Sequence, residues 1–79
     1  MNDRVVMVGA SYWSQFQVEG WRDAGAPLVA ICNRSAAPAE ALAQRYGVPK
    51  VYGDIQAMFD AERPTLVDVC LPPAAQATA

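Results

Sequence analysis

Four short apolar runs, each bounded by glycine or proline, constrain the fold of this chain more than any other feature. They cover residues 5–8, 28–32, 51–52 and 66–71 and are rich in valine and leucine. Unbroken runs of this kind predict strands that are buried on both faces. We therefore expect a sheet that is covered by helices on both sides.

The clearest helical pattern between these runs covers residues 37–46. Its apolar positions follow at i, i+3, i+4 and i+7, which places them on one face: Ala39, Leu42, Ala43 and Tyr46. Pro38 suits the first turn of a helix, and Gly47 suits a left-handed stop after its last turn.

Two further helices are expected. One covers residues 14–24 and ends at Gly25, and the other begins after Asp54, a good N-cap residue. The residues expected on their apolar, inward faces are Phe16, Gly20, Trp21 and Ala24 in the first, and Ile55, Met58 and Phe59 in the second.

The alternation of strands and helices predicts an α/β fold with a doubly wound parallel sheet. Four strands in the order 3-2-1-4, with right-handed crossovers and helices on both faces, make one Rossmann half. Residues 74–79 have the composition of a further helix that has only begun. A complete doubly wound sheet needs more strands, so residues 1–79 are expected to be an incomplete domain.

Composition excludes several kinds of site and partner. The 79 residues include no histidine and only two cysteines, which argues against a metal site or a disulfide framework. Six basic and eight acidic residues give a net charge of −2, which argues against a nucleic-acid partner. The run at residues 5–8 is far too short for a membrane span or a signal segment, so we expect a cytoplasmic protein.

The turn after the first strand is the candidate phosphate site. A dinucleotide fingerprint has glycine at the first, third and sixth places of this turn. The six residues here are Gly9, Ala10, Ser11, Tyr12, Trp13 and Ser14, so only the first place is glycine. Peptide amides around Gly9 and the start of the following helix are expected to cradle an anion. The alternative, a turn that binds nothing, stays open.

The residues after the second strand, Asn33, Arg34 and Ser35, lie where a dinucleotide fold places the adenosine ribose. An acidic residue there binds the 2′-hydroxyl of NAD and repels a 2′-phosphate. Asn33 is uncharged, and Arg34 offers a planar cation to a phosphate. The trio therefore favours NADP, with NAD as the second possibility. A solvated turn with a surface arginine is the alternative.

Five stretches taken in order resemble the N-terminal domain of the Gfo/Idh/MocA oxidoreductases. They read RVVMVGASYW, SQFQVEGW, LVAICNRS, AEALAQRYGVPKVYGD and ERPTLVDVCLPP, and together they cover nearly the whole chain. The resemblance implies NAD(P) binding, with Gly9, Ser11, Tyr12 and Trp13 along the pyrophosphate. It also implies that Asn33, Arg34 and Ser35 lie at the ribose or its 2′-phosphate, and Leu71 and Pro72 beside the ribose and nicotinamide.

Three departures from the family pattern limit what the resemblance implies. Members commonly have glycine in place of Ser11 and histidine in place of Gln76. The family's catalytic Glu-Lys-Pro segment follows the next strand, and neither it nor the family's C-terminal substrate domain is expected within residues 1–79. In complete relatives the reaction is hydride transfer on a sugar, a polyol or a similar alcohol or carbonyl. No residue of this chain is assigned a catalytic role, and the chain alone is expected to be inactive.

Several other residues have structural interpretations. Cys32 and Cys70 end strands that are separated by the first strand, about 9–10 Å apart, too far for a disulfide. They are expected to be buried free thiols. Asp68, within an apolar strand, is expected to accept a structural hydrogen bond. Trp13 lies in the turn itself, so a ligand contact and a structural role are about equally expected.

A different class of function is also compatible with the sequence. If the fourth strand is an open edge, its apolar surface favours pairing with another chain. The chain is then a non-catalytic module that forms a homodimer or a larger assembly, or that binds another partner. In the dehydrogenase interpretation, the expected partner is the missing C-terminal domain. This hypothesis predicts no nucleotide binding.

Overall fold

Parallel strands and helices alternate along residues 3–70, which are the residues that the computed structural model describes. In chain order the elements are β1 (Val5–Val8), α1 (Ser14–Asp23), β2 (Leu28–Cys32), α2 (Ala36–Tyr46), β3 (Lys50–Tyr52), α3 (Ile55–Glu62) and β4 (Leu66–Val69). Within this range, no helix combines the length and the apolar character that crossing a membrane requires.

The strands form one sheet in the order β3-β2-β1-β4. β1 pairs in parallel with both β2 and β4, and β2 pairs in parallel with β3. The predicted fold class and strand order are therefore confirmed. After β1 the chain adds β2 and β3 in order on one flank of β1, and it then crosses to add β4 on the other flank. The strand order therefore reverses at β1, and α/β sheets bind ligands at the carboxyl end of the strand where this reversal occurs.

Val5, Val6 and Met7 of β1 are fully buried, because helices cover both faces of the sheet at its centre. Val5 and Met7 lie in one cluster with residues of α1 and α2, such as Val18 and Ala39. Val6 lies in the other cluster with Met58 of α3. Because β1 contributes side chains to both clusters, it needs an unbroken run of apolar residues. A strand with one face in solvent needs apolar residues on its other face only.

The second helical pattern is confirmed in its apolar face and its ends. Ala39 and Ala43 of α2 are buried against the sheet, and Leu42 and Tyr46 pack beside them. Gly47 ends the helix with φ 71°, the left-handed conformation that glycine adopts without a steric cost. In α3, the Asp54 side chain accepts a hydrogen bond from the Ala57 N–H at 3.1 Å, so the predicted N-cap is also confirmed.

The predicted inward face of α1 is wrong by about one position. Phe16 is 49% exposed, and Gly20 and Ala24 are also exposed. Ser14 and Val18 are buried instead, and Trp21 packs at the edge of the core. Because β1 and β2 lie close beneath the start of α1, a small serine takes the inward position there and the large aromatic ring points away.

Two further burial predictions need correction. Ile55 of α3 is 43% exposed, whereas Met58 is fully buried and Phe59 is half-buried, so only part of the predicted face is inward. Leu66, Val67 and Val69 of β4 are exposed rather than buried on both faces. Among the described residues, β1 is the only strand that pairs with β4, which leaves much of this strand uncovered.

A buried carboxylate fastens the end of α3 to the sheet. Glu62 is 8% exposed, and its Oε1 accepts from the Arg4 guanidinium at 2.8 Å. The Tyr52 hydroxyl donates to its Oε2, and Arg4 Nε donates to the Glu62 carbonyl at 2.7 Å. A carboxylate is costly to bury without such partners, so these contacts fix the residue before β1, the end of α3 and β3 relative to one another.

Candidate functional site

Two neighbouring turns form the candidate site at the carboxyl edge of the sheet. The first, between β1 and α1, covers residues 9–13, and the second, between β2 and α2, covers residues 33–35. β1 and β2 pair in register, with Val8 opposite Cys32, so the two turns begin side by side. The structure thus brings together two of the three groups of residues that the sequence predicted for the site.

Gly9 makes the tight turn that leaves β1. Its φ is 107°, a conformation that side-chain-bearing residues rarely adopt. Its N–H donates to the Cys32 carbonyl at 2.8 Å, which extends the β1–β2 ladder by one bond. Glycine thus permits the tight turn at this position, and its amide is already used within the sheet.

Ser14 holds the inside of the same turn. It is fully buried, and its Oγ accepts from the Ser11 N–H at 2.9 Å and donates to the Gly9 carbonyl at 3.3 Å. The same Oγ lies 3.3 Å from Cys70 Sγ, at the end of β4. A serine at the sixth place of the turn thus permits close helix–strand packing and adds hydrogen bonds that glycine cannot make.

Only some of the amides that the sequence predicted for an anion are free to bind one. The N–H groups of Gly9, Ala10 and Ser11 are all occupied within the protein. Those of Tyr12 and Trp13 have no acceptor among residues 3–70. The Tyr12 and Trp13 amides lie at the N-terminal end of α1, where unpaired amides and the helix dipole favour a negative charge.

The second turn is built around Asn33. Its Oδ1 accepts from the Ala10 N–H at 3.2 Å, and its Nδ2 donates to the Ser35 carbonyl at 2.8 Å. Arg34 and Ser35 are exposed, and their side chains have no hydrogen-bond or ion-pair partner within the described range. Ser35 is the N-cap residue of α2, but its hydroxyl does not cap the helix.

An exposed aromatic cluster stands at the start of α1. Tyr12, Trp13 and Phe16 are 67%, 59% and 49% exposed, and their ring centroids are 5.1–6.0 Å apart. Sequence reasoning assigned Phe16 to the core and so missed this cluster. The signal was the i, i+3 and i, i+4 spacing of the three rings, which brings them together on a helical surface.

A groove of about 320 Å³ lies between the first turn and α2. Ala10, Ser11 and Tyr12 line it on one side, and Pro38, Leu42 and Arg45 line it on the other. The Arg45 guanidinium donates to Gln15 Oε1 at 3.1 Å and lies over the Tyr46 ring, which holds a cation in the lining of the groove. Sequence reasoning did not identify Gln15 or Arg45, because neither belongs to a recognised motif.

The two cysteines are not bonded to each other in this structure. Both are free and buried, at the ends of strands on opposite sides of β1. Burial, with a smaller contribution from the Asp54 carboxylate, raises the pKa of the Cys32 thiol, so this group stays protonated at neutral pH. Residues 3–70 contain no group of three or more potential metal ligands among His, Cys, Asp and Glu.

Asp68 has the structural role that the sequence predicted. Its Oδ2 accepts from the Trp21 indole N–H at 2.7 Å, which joins β4 to α1. Leu71 and Pro72, the predicted contacts on the nicotinamide side, lie outside the described residues.

Comparison with curated proteins finds two sugar dehydrogenases. The D-apiose dehydrogenase of Paraburkholderia graminis is 33% identical over 64 residues, which is 80% of this chain and 17% of that protein. The D-glucoside 3-dehydrogenase of Escherichia coli is 47% identical over 45 residues, which is 57% of this chain and 13% of that protein. The chain therefore spans less than a fifth of the length of these relatives.

Solved structures share the fold. An oxidoreductase from Agrobacterium radiobacter, solved in complex with NAD⁺, L-tartaric acid and magnesium, matches 95% of this chain and 22% of its own, with a TM-score of 0.84 and 24% identity. The myo-inositol 2-dehydrogenase of Lactobacillus plantarum matches 91% of this chain and 22% of its own, with a TM-score of 0.79 and 20% identity.

The family profile described as the oxidoreductase family with an NAD-binding Rossmann fold matches residues 4–79. The chain therefore belongs to the Gfo/Idh/MocA oxidoreductase family, whose NAD-binding Rossmann fold is matched by residues 4–79.

Proposed function

We propose that this chain binds NADP in preference to NAD, as the cofactor-binding part of a dehydrogenase that acts on a sugar or a polyol. The observation that carries the proposal is the juxtaposition of an exposed Arg34, next to an uncharged Asn33, with the unpaired amides of Tyr12 and Trp13. The two turns offer an anion site at the end of β1 and a cation at the end of β2.

The β1–α1 turn supports pyrophosphate binding by its donors and its charge. The amides of Tyr12 and Trp13 supply the donors, and the first turn of α1 contains no acidic residue that would repel an anion. Ser11 stands where the fingerprint has its second glycine. A side chain therefore lies at the point where the backbone of such turns approaches the pyrophosphate most closely. The affinity for the pyrophosphate is therefore expected to be lower than in relatives that have glycine there.

The β2–α2 turn supports the preference for NADP. The first turn of α2 also has no acidic residue, so the 2′-phosphate meets Arg34 without a competing carboxylate on that helix. A hydrogen bond to a charged group contributes about 1.5–3 kcal/mol. That range corresponds to an affinity about ten- to a hundredfold higher for NADP than for NAD.

The chemistry of the proposed reaction is divided between the cofactor and the protein. A nicotinamide dinucleotide supplies hydride transfer when it is bound. The described residues bind and orient its adenosine and pyrophosphate portions, and none of them is assigned a proton transfer. The two sugar dehydrogenases among the relatives support a sugar or polyol substrate for the whole protein.

Thermal denaturation with each dinucleotide tests the proposal. NADPH is expected to raise the Tm by about 6–11 °C more than NADH at equal concentration, because a tenfold tighter ligand adds about 1.4 kcal/mol. Arg34→Ala is expected to remove this difference. The matched control is Arg22→Ala, since Arg22 is also exposed but lies in the last turn of α1. Equal shifts with both cofactors in the unmodified protein would contradict the NADP preference.

Self-association is a second candidate function, and the surface of β4 favours it. Val67 and Val69 are 43% and 55% exposed on a strand whose only partner among residues 3–70 is β1. A second copy that pairs with this edge would bury that surface and extend the sheet. Sedimentation at micromolar concentration tests the idea, with a dimer or a larger species expected. A stable monomer would end it.

A further inference from the structure

The Asn33 side chain joins the two turns of the candidate site. Its Oδ1 accepts from the backbone of the β1–α1 turn at Ala10, and its Nδ2 donates to the backbone of its own turn at Ser35, at 3.2 and 2.8 Å. The Asn33 backbone N–H donates to the Tyr52 carbonyl at 3.0 Å, which fixes the residue to β3 as well. Asn33 is therefore held at three points, and two of them lie in the β2–α2 turn and the β1–α1 turn.

Arg34 lies between the two residues that one of these bonds connects. The bond from Asn33 Nδ2 to the Ser35 carbonyl spans Arg34 and restricts its backbone, while the guanidinium itself is exposed and unpaired within the described range. A side chain presented from a fixed backbone loses less conformational entropy on binding a ligand than one on a mobile loop. The arrangement thus limits where the Arg34 cation can be relative to the amides of the first turn.

We propose that Asn33 is a positioning residue that locks the two turns together and, by orienting Arg34, determines how strongly the site prefers NADP over NAD. The inference rests on the proposed function, because it concerns the selectivity of that same site.

The chemistry of the amide explains why asparagine suits this position. A carboxamide both accepts and donates, so it bonds Ala10 N–H and Ser35 C=O at once. An aspartate keeps the acceptor for Ala10 but loses the donor and places a negative oxygen near the Ser35 carbonyl. An acidic residue at this position, the kind that binds the 2′-hydroxyl of NAD, therefore cannot bond both the Ala10 N–H and the Ser35 carbonyl.

A double-mutant cycle on cofactor selectivity tests the proposal in the full chain. The measured quantity is the ratio of the Kd values for NAD⁺ and NADP⁺, obtained by titration calorimetry. Asn33→Ala is expected to lower the preference for NADP by about threefold or more. In the Arg34→Ala background the same substitution is expected to leave the ratio unchanged, since a positioning residue has then lost the group it orients. An equal fall in both backgrounds, or no fall in either, would overturn the proposal.

A second measurement, without cofactor, separates this inference from the proposed function. Hydrogen exchange of the Ala10 amide is expected to be about two- to tenfold faster in Asn33→Ala, which lacks the acceptor, and unchanged in Asn33→Asp, which keeps it. Unchanged exchange in Asn33→Ala would show that the connection does not exist in solution, whatever the cofactor does. If the unmodified protein binds neither dinucleotide, the proposed function fails and, with it, the role in selectivity, while the exchange rates still decide whether the two turns are joined. Should Asn33→Ala not fold, Asn33→Ser takes its place, because the shorter side chain cannot bond Ala10 and Ser35 at once.

Discussion

Truncation of Met58 tests how the core is divided between the two faces of the sheet. Met58 is fully buried between α3 and the β1–β2 face, where it packs with Val6 and Ala30. Replacing a buried methionine by alanine costs about 2–5 kcal/mol, including the cavity that remains. A chain of 79 residues has a total stability of about 4–12 kcal/mol, so Met58→Ala removes a large fraction of it.

Ile55→Ala is the matched control, because Ile55 lies on the same helix but is 43% exposed. Its truncation removes apolar area that is partly in contact with water, and about 1 kcal/mol or less is expected. Urea and thermal denaturation followed by circular dichroism measure both variants. Met58→Ala is expected to lower the Tm by at least about 8 °C. Equal losses in the two variants would refute the assignment of Met58, rather than Ile55, to the core.

Three further predictions concern the turn, the β4 contact and the pH dependence of stability. Gly9→Ala is expected to cost about 1–3 kcal/mol, because an alanine is strained at φ 107°; a Tm within 2 °C of the unmodified value would contradict this. Trp21→Phe leaves Asp68 without its indole donor and is expected to cost about 1–3 kcal/mol in urea denaturation, whereas Asp68→Asn keeps an acceptor oxygen and should cost less. The hydrogen bond to Glu62 raises the pKa of Tyr52, so folding stabilises the neutral phenol. Its contribution to the free energy of unfolding is complete below about pH 10 and is lost as the pH rises through the folded-state pKa. The urea midpoint is therefore expected to fall more steeply above pH 10 in the unmodified protein than in Tyr52→Phe, and identical slopes would contradict the linkage.

The elements that were predicted correctly depend on local signals. In α2 the apolar stripe, the proline in the first turn and Gly47 all indicate the same helix, and each needs only neighbours in sequence. The strand order follows from the alternation of elements and the handedness of crossovers. The burial of Phe16 and Ile55 was predicted wrongly because it depends on how the helix is rotated about its axis relative to the sheet, which hydrophobicity alone does not determine.

The sequence indicates which residues form the two turns of the candidate site, but not the hydrogen bonds within them. Gly9 at the end of the first strand and Arg34 at the end of the second follow from motif spacing. Which amides remain unpaired depends on two side chains that reach into the turn, Ser14 from the start of α1 and Asn33 from the neighbouring β2–α2 turn. The contact between Asn33 and Ala10 joins residues that are 23 positions apart, so no local pattern reveals it.

Amide chemical shifts during titration with NADP⁺ test most directly whether the two turns hold the dinucleotide. The account predicts that the largest shifts occur at the unpaired amides of Tyr12 and Trp13 and around Arg34, with smaller changes at Gly9, whose amide is bonded to Cys32. No shifts at millimolar NADP⁺, or shifts confined to the opposite edge of the sheet near Arg4 and Glu62, would contradict it.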